Sequence, residues 1–225
     1  MVKTAILIDG GFYKYRAYGL WGDKSPKERA YELESYCKAH LYNKHEDREL
    51  YRIFYYDCPP MSKKLYHPLL KRQIDYEKSD TYKWMMDFLA ELKRKRKFAL
   101  RMGKLADNQA HYELDSEIVK KLCRGTLTVD NLKESDFHLA VNQKGVDMKI
   151  GLDISSMAYK KQVDQIILIS GDSDFVSAAK LARREGIDFI LDPMHAKIKD
   201  DLFEHIDGIR TPNLRIEQHK AGNQQ

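Results

Sequence analysis

Apolar and polar positions fall along this chain in two kinds of block: short unbroken aliphatic runs, and longer stretches with helical spacing. Ile166-Ile167-Leu168-Ile169 is four consecutive branched aliphatics, the pattern of a strand covered on both faces, and Ala5-Ile6-Leu7-Ile8 repeats it near the start. Around them the pattern predicts strands over Lys3–Ile8, Leu50–Tyr56, Phe98–Leu105, His138–Val141, Gln165–Ser170 and Ile187–Asp192, with a terminal strand position at Ile209. Helices are predicted over Phe12–Tyr18, from Ser25 to about Asn43, Ser62 to about Gln73, Thr81 to about Arg96, Ser116–Cys123, Val146–Tyr159, Ser173–Glu185 and Ile198–His205. The second has a marked start, because Ser25-Pro26-Lys27-Glu28 supplies a cap, a proline at the first helical position and a glutamate that reaches back. From Ala106 to Phe137 the pattern is weak.

Strands alternating with helices imply an α/β fold: a three-layer α/β/α sandwich around a mainly parallel central sheet. A chain of 225 residues is long enough for one such domain. We expect a single domain over 1–212, with a helical insertion around 60–97, and a flexible polar tail over 213–225. No run approaches the roughly 18 apolar residues of a bilayer span, and the chain opens on a strand instead of a signal-peptide pattern. No membrane partner and a cytoplasmic location are therefore expected. Cys37, Cys58 and Cys123 show no close metal-ligand spacing and read as reduced packing residues.

Charge adds a direction to this picture. The net charge is +5, yet the segment Lys63–Lys104 carries an excess of +8 and the remainder of the chain is at −3. A basic flank beside an acidic site suits a polyanionic substrate. Solvated helix faces are the plainer explanation of the same charges.

The candidate chemistry lies at the strand ends, where open α/β sheets bind ligands. Asp9 follows the first aliphatic run and precedes Gly10-Gly11, while Asp172 and Asp174 follow the second run after Ser170-Gly171. Asp147 opens the helix after Lys144-Gly145. Three or four carboxylates in one crevice repel unless a cation neutralises them, and oxygen ligands without His or Cys select Mg2+ or Mn2+. Lys144 is placed to steady a phosphate, Ser170 and Ser173 to orient water or a phosphate oxygen, and Arg101 and Lys104 to guide nucleic acid. Each acid also has a local explanation. Asp172 or Ser173 can cap the following helix, Asp174 and Asp147 can complement helix dipoles, and Asp9 can be a turn residue. Asp153, about 240° around the helix from Asp147, faces elsewhere.

These segments resemble a family. Ile6-Leu7-Ile8-Asp9-Gly10-Gly11-Phe12, Arg101-Met102-Gly103-Lys104-Leu105, Gln143-Lys144-Gly145-Val146-Asp147 and Ile169-Ser170-Gly171-Asp172-Ser173-Asp174-Phe175 are similar, in order, to the motifs of NYN domain proteins of the LabA-like group, within the PIN-like nuclease superfamily. The helix through Lys180, Ala182 and Arg183 to Glu185-Gly186 continues the likeness, which covers about half the chain. The resemblance implies a PIN-like fold and a Mg2+- or Mn2+-dependent ribonuclease site built from Asp9, Asp147, Asp172 and Asp174. Phe12 stands where many relatives carry Asn, so one polar ligand is missing.

The leading expectation is a metal-dependent endoribonuclease acting on RNA, with single-stranded RNA among its substrate forms. The alternative is a nucleic-acid-binding regulator of the same fold with little or no turnover. A haloacid-dehalogenase-type phosphatase would need a second Asp at position 11, where this chain has Gly. Homo-oligomerisation is left open.

Overall fold

A computed structural model of the protein describes residues 1–42 and 46–213. The first half contains β1 (Val2–Asp9), α1 (Gly10–Trp21), α2 (Pro26–Leu41), β2 (Arg48–Asp57), β3 (Lys64–His67), β4 (Arg72–Asp75), α3 (Asp80–Lys93) and β5 (Phe98–Met102). The second contains β6 (Lys104–Leu105), β7 (His111–Leu114), α4 (Ser116–Cys123), β8 (Phe137–Ala140), β9 (Gln143–Lys144), α5 (Val146–Tyr159), β10 (Gln165–Ile169), α6 (Val176–Arg184), β11 (Asp188–Asp192), α7 (Asp200–Phe203) and β12 (Gly208–Ile209).

Six strands form the central sheet in the order β12-β11-β10-β1-β2-β5, and every neighbouring pair is parallel. The two aliphatic runs lie side by side at its centre, Ile6 opposite Ile167 and Ile8 opposite Ile169. Because side chains alternate across a strand, each run feeds both faces. Ala5, Leu7, Ile166 and Leu168 join one core with Ile150 and Ile154 of α5 and Ala179 and Ala182 of α6. Ile6, Ile8, Ile167 and Ile169 join the other, with Tyr13 of α1, Leu33, Tyr36 and Cys37 of α2, and Phe88 and Leu92 of α3. Burial on both faces is why these strands read as unbroken apolar runs, and the predicted three-layer α/β/α sandwich is what the chain forms.

Strand order reverses between β1 and β10. The chain moves from β1 outward through β2 to β5, then returns to the other side of β1 and proceeds outward through β11 to β12. A crevice therefore opens beyond the carboxyl ends of β1 and β10.

The two insertions differ from the sequence expectation. Ser62–Gln73 is no helix: β3 and β4 pair as an antiparallel hairpin, and helical structure within 60–97 is a 3-10 turn over Tyr76–Lys78 followed by α3. The predicted strand Phe98–Leu105 breaks at Gly103, and its last residues leave the sheet to pair as β6 with β9. The predicted strand at His138 is β8, which pairs antiparallel with β7 outside the main sheet. Tyr112 and Phe137 pack on His67, and the Tyr76 hydroxyl bonds that of Tyr112 at 2.6 Å, so the two insertions brace each other. The expected end of α2 at Asn43 and the tail from residue 214 onward lie outside the described residues. Among the described residues no helix is long and apolar enough to cross a membrane.

Candidate functional site

Asp9 ends β1, and its two carboxylate oxygens face different elements. Oδ1 accepts the backbone N–H of Phe12 at 3.1 Å, capping α1, and Oδ2 accepts the Ser170 hydroxyl at 3.3 Å. The turn into α1 works because Gly10 has no side chain. A Cβ there would lie 2.6 Å from the Tyr55 ring and from the Tyr56 carbonyl oxygen.

Ser170, just past β10, is fully buried and joins the two sides of the crevice. Its oxygen also accepts the backbone N–H of Asp172 at 3.3 Å. Ser170 is expected to meet nucleic acid; in the fold its buried hydroxyl is turned toward Asp9. Asp172 accepts the N–H of Asp174 at 3.0 Å and caps a single 3-10 turn, Ser173–Phe175, that leads into α6. Both carboxylates are exposed at the crevice. Gly171 has to be small: a Cβ on it would lie 2.8 Å from Cε2 of Phe12. Phe12, at the position of the missing polar ligand, is a strut between α1 and the Asp172 loop.

Asp147 is exposed in the first turn of α5, after Gly145 at φ 81°. A left-handed residue suits Gly at the entry to this helix. The same bend depends on Gly103, whose absent Cβ would fall 2.7 Å from the Lys144 carbonyl oxygen. Register pairs Lys104 directly with Lys144 across β6 and β9. Both are exposed, and neither meets an acid among the described residues. Like charges directly opposite are unfavourable in a ribbon, and an anion would relieve them.

Electrostatics shows which of the acids share the crevice. Burial holds the Asp9 carboxyl above its usual proton affinity, the charges of Asp147 and Asp57 push the same way, and the Phe12 and Ser170 hydrogen bonds oppose them. Asp147 is also raised, first by desolvation and then by the charges of Asp172 and Asp174. Asp147 is therefore the link of the group: it acts on Asp9 on one side and feels Asp172 and Asp174 on the other.

Arg101 and Ser173 are already engaged. Arg101 Nε lies 3.0 Å from Asp153, which also accepts the Tyr56 hydroxyl at 2.9 Å, and its guanidinium covers the Phe54 ring. The Ser173 hydroxyl accepts from Lys199 Nζ at 3.1 Å. Asp153 is thus held by Arg101 and Tyr56.

Two strand-tip acids escaped the sequence reading, although each follows an apolar or aromatic run as Asp9 does. Asp57 ends β2, is buried, and is held by Lys14 at 2.7 Å, the Tyr55 hydroxyl at 2.8 Å and the Cys58 N–H at 2.8 Å. Asp192 ends β11 and is fully buried among the Tyr36 and Thr211 hydroxyls, His40 Nε2 and the Met194 N–H. Protein donors satisfy both. Asp9, Asp147, Asp172 and Asp174 are left to face the crevice.

The NYN domain model matches residues 3–204, nearly the whole chain. The chain belongs to the NYN domain family. Its architecture is accordingly that of the PIN-like nuclease superfamily. This NYN domain also shares 14% identity with a protein of unknown function from Vibrio parahaemolyticus, whose crystal structure aligns over 92% of this chain and 91% of that one at a TM-score of 0.45. Among curated proteins none matches.

The family implies a divalent metal, and the donors in this NYN domain fit a hard cation, since the crevice acids offer oxygen alone and the proton affinities of Asp9 and Asp147 are raised in part by neighbouring carboxylates. No group of three acids, histidines or cysteines converges closely enough to cage an ion among the described residues. That is compatible with Mg2+, which commonly binds through one or two carboxylates, waters and substrate phosphate. Cys37 and Cys58 are buried with their thiols pushed up, chiefly by burial, and so lie far from a reactive thiolate.

Proposed function

We propose that this NYN domain is a metal-dependent endoribonuclease of the LabA-like group that hydrolyses RNA phosphodiesters in the crevice between β1 and β10. The observation that carries this reading is the grouping of acids around Asp147 at the strand-order reversal, where Asp147 acts on Asp9 and feels Asp172 and Asp174. From among these four would come the carboxylates that hold Mg2+ or Mn2+, and the ion would supply polarisation of a phosphoryl oxygen and acidification of water. Asp9 is oriented for this by two hydrogen bonds, one from each wall of the crevice. Lys104 and Lys144 attract the phosphate backbone to the crevice rim, and Lys144 lies three residues from Asp147. Ser173 and Arg101 lend less, because Lys199 and Asp153 already occupy them.

The alternative is a nucleic-acid-binding regulator with little turnover. Phe12 favours it, since its ring packs against Gly171 and an apolar side chain stands where a polar ligand would otherwise reach the site. Cleavage of end-labelled single-stranded RNA and DNA by wild type and Asp172→Asn, each with Mg2+, Mn2+ or chelator, separates the two. The nuclease reading expects cutting of RNA by wild type with metal only, and a loss of at least about a hundredfold in Asp172→Asn, the scale of removing a group that stabilises the transition state. Binding without cutting in both proteins would establish the regulator.

A further inference from the structure

One face of α1 buries Tyr13 and Ala17, while its opposite face carries Gly11, Tyr15 and Tyr18 at i, i+4 and i+7. Tyr15 is 78% exposed and Tyr18 64%. Single exposed aromatic rings are common on proteins. This stripe is distinguished by where it begins: the position a Gly11 Cβ would occupy lies 3.5 Å from Asp9 Oδ1. At about 1.5 Å of rise per residue, Tyr15 stands about 6 Å beyond that point and Tyr18 about 10 Å. Tyr18 also lines a cleft of about 350 Å3 shared with two cations, Lys14 and Arg29, two acids, Asp23 and Asp80, and Thr81 and Trp84. That volume lies within the range of small-molecule pockets. The indole N–H of Trp84 is spent on the Lys24 carbonyl oxygen, which leaves its ring as the contact surface.

We propose that Tyr15 and Tyr18 form a stacking platform that holds unpaired nucleobases beside the Asp9 carboxylate, so that the crevice takes single-stranded nucleic acid in preference to duplex. The proposal rests on the reading of the crevice as a nucleic-acid site. Base-paired stacks offer no free faces to these rings, whereas unpaired bases stack on aromatic side chains with little regard to sequence. The path from Gly11 to the Tyr18 cleft would carry the strand away from the scissile phosphate.

The test measures binding apart from cleavage. Anisotropy with a labelled single-stranded RNA of about a dozen nucleotides, a typical site size, is read in chelator beside a duplex of equal length and an abasic strand with the same backbone. Tyr15→Ala/Tyr18→Ala should bind the single strand at least about tenfold more weakly, as loss of base stacking requires, with duplex and abasic binding unchanged. Tyr15→Phe/Tyr18→Phe should bind as wild type does. Both positions are exposed, and matching thermal melts would show that the variants fold. Equal binding by wild type and the alanine variant overturns the platform, as does equal affinity of wild type for intact and abasic strands. So does a change of sedimentation in the alanine variant, with binding unchanged, which would mark the stripe as a protein interface. If binding falls as expected while wild type with metal never cuts, the nuclease reading fails and the platform stands. If wild type cuts and the alanine variant binds and cuts equally well, the platform alone fails.

Discussion

Four acids end or follow the inner strands of this sheet, yet their surroundings give them different work. Asp57 and Asp192 are buried with a full set of donors, and removing either would orphan a cluster of polar groups. Asp9 has one donor per oxygen, and its proton affinity is raised, first by burial and then by the charges of Asp147 and Asp57. A carboxyl whose folded pKa lies above its unfolded value of 3.8 holds protons that the unfolded chain has released. Its contribution to stability is therefore most favourable below that value and is lost as pH rises through the raised one. Asp9→Asn removes the charge and retains a capping oxygen. The variant should melt above wild type at pH 7 in chelator, with the gap closing as the pH falls below 3.8. A lower melting temperature at pH 7 would show that the Asp9 charge is compensated in the folded protein.

The elements around the crevice meet at glycines. Gly10 lets α1 start against β2, and Gly103 lets the return at Lys144 cross the end of β5. Gly19, in the same helix as Gly10, has open space where its Cβ would stand. Gly10→Ala is therefore expected to cost about 1–3 kcal/mol by overpacking, while Gly19→Ala should stabilise by up to about 1 kcal/mol through helix propensity. Urea unfolding of the two variants beside wild type measures both signs. The helix expected over Ser62–Gln73 fails at this scale too. Its residues pair as β3 with β4 and lean on Tyr112 and Phe137, partners about 40 or more residues away that no local periodicity reveals.

Over the whole molecule, charge is divided between a basic segment, Lys63–Lys104, and a net acidic remainder. Part of the basic excess is spent within the fold, since Arg101 pairs with Asp153 and Lys95 with Glu34. Lys104 and Lys144 remain opposite each other at the rim of the crevice. If they meet phosphates, Lys104→Ala/Lys144→Ala should flatten the plot of log affinity for single-stranded RNA against log salt by about 1.4, or about 0.7 per contact. An unchanged slope would exclude both lysines from the path of the strand.

Much of the fold was legible in the chain because its signals are local. Two aliphatic runs declare buried parallel strands, Ser25-Pro26-Lys27-Glu28 declares a capped helix, and acids after strand ends mark a ligand-binding edge. The sequence by itself determined a parallel α/β sheet with carboxylates at its ends, since hydrophobic period and strand-end chemistry are written within a few residues of each other. Tertiary structure alone decided which acids remain for a ligand. Asp9 and Ser170 are 161 residues apart, and Asp57 and Asp192 are silenced by Lys14, Tyr36, His40 and Thr211, which come from other elements. It also decided the pairing of β6 with β9 and of β7 with β8. Such contacts are set by the sheet's strand order and by close backbone approach at glycine, and neither is contained in the spacing of residues along one segment.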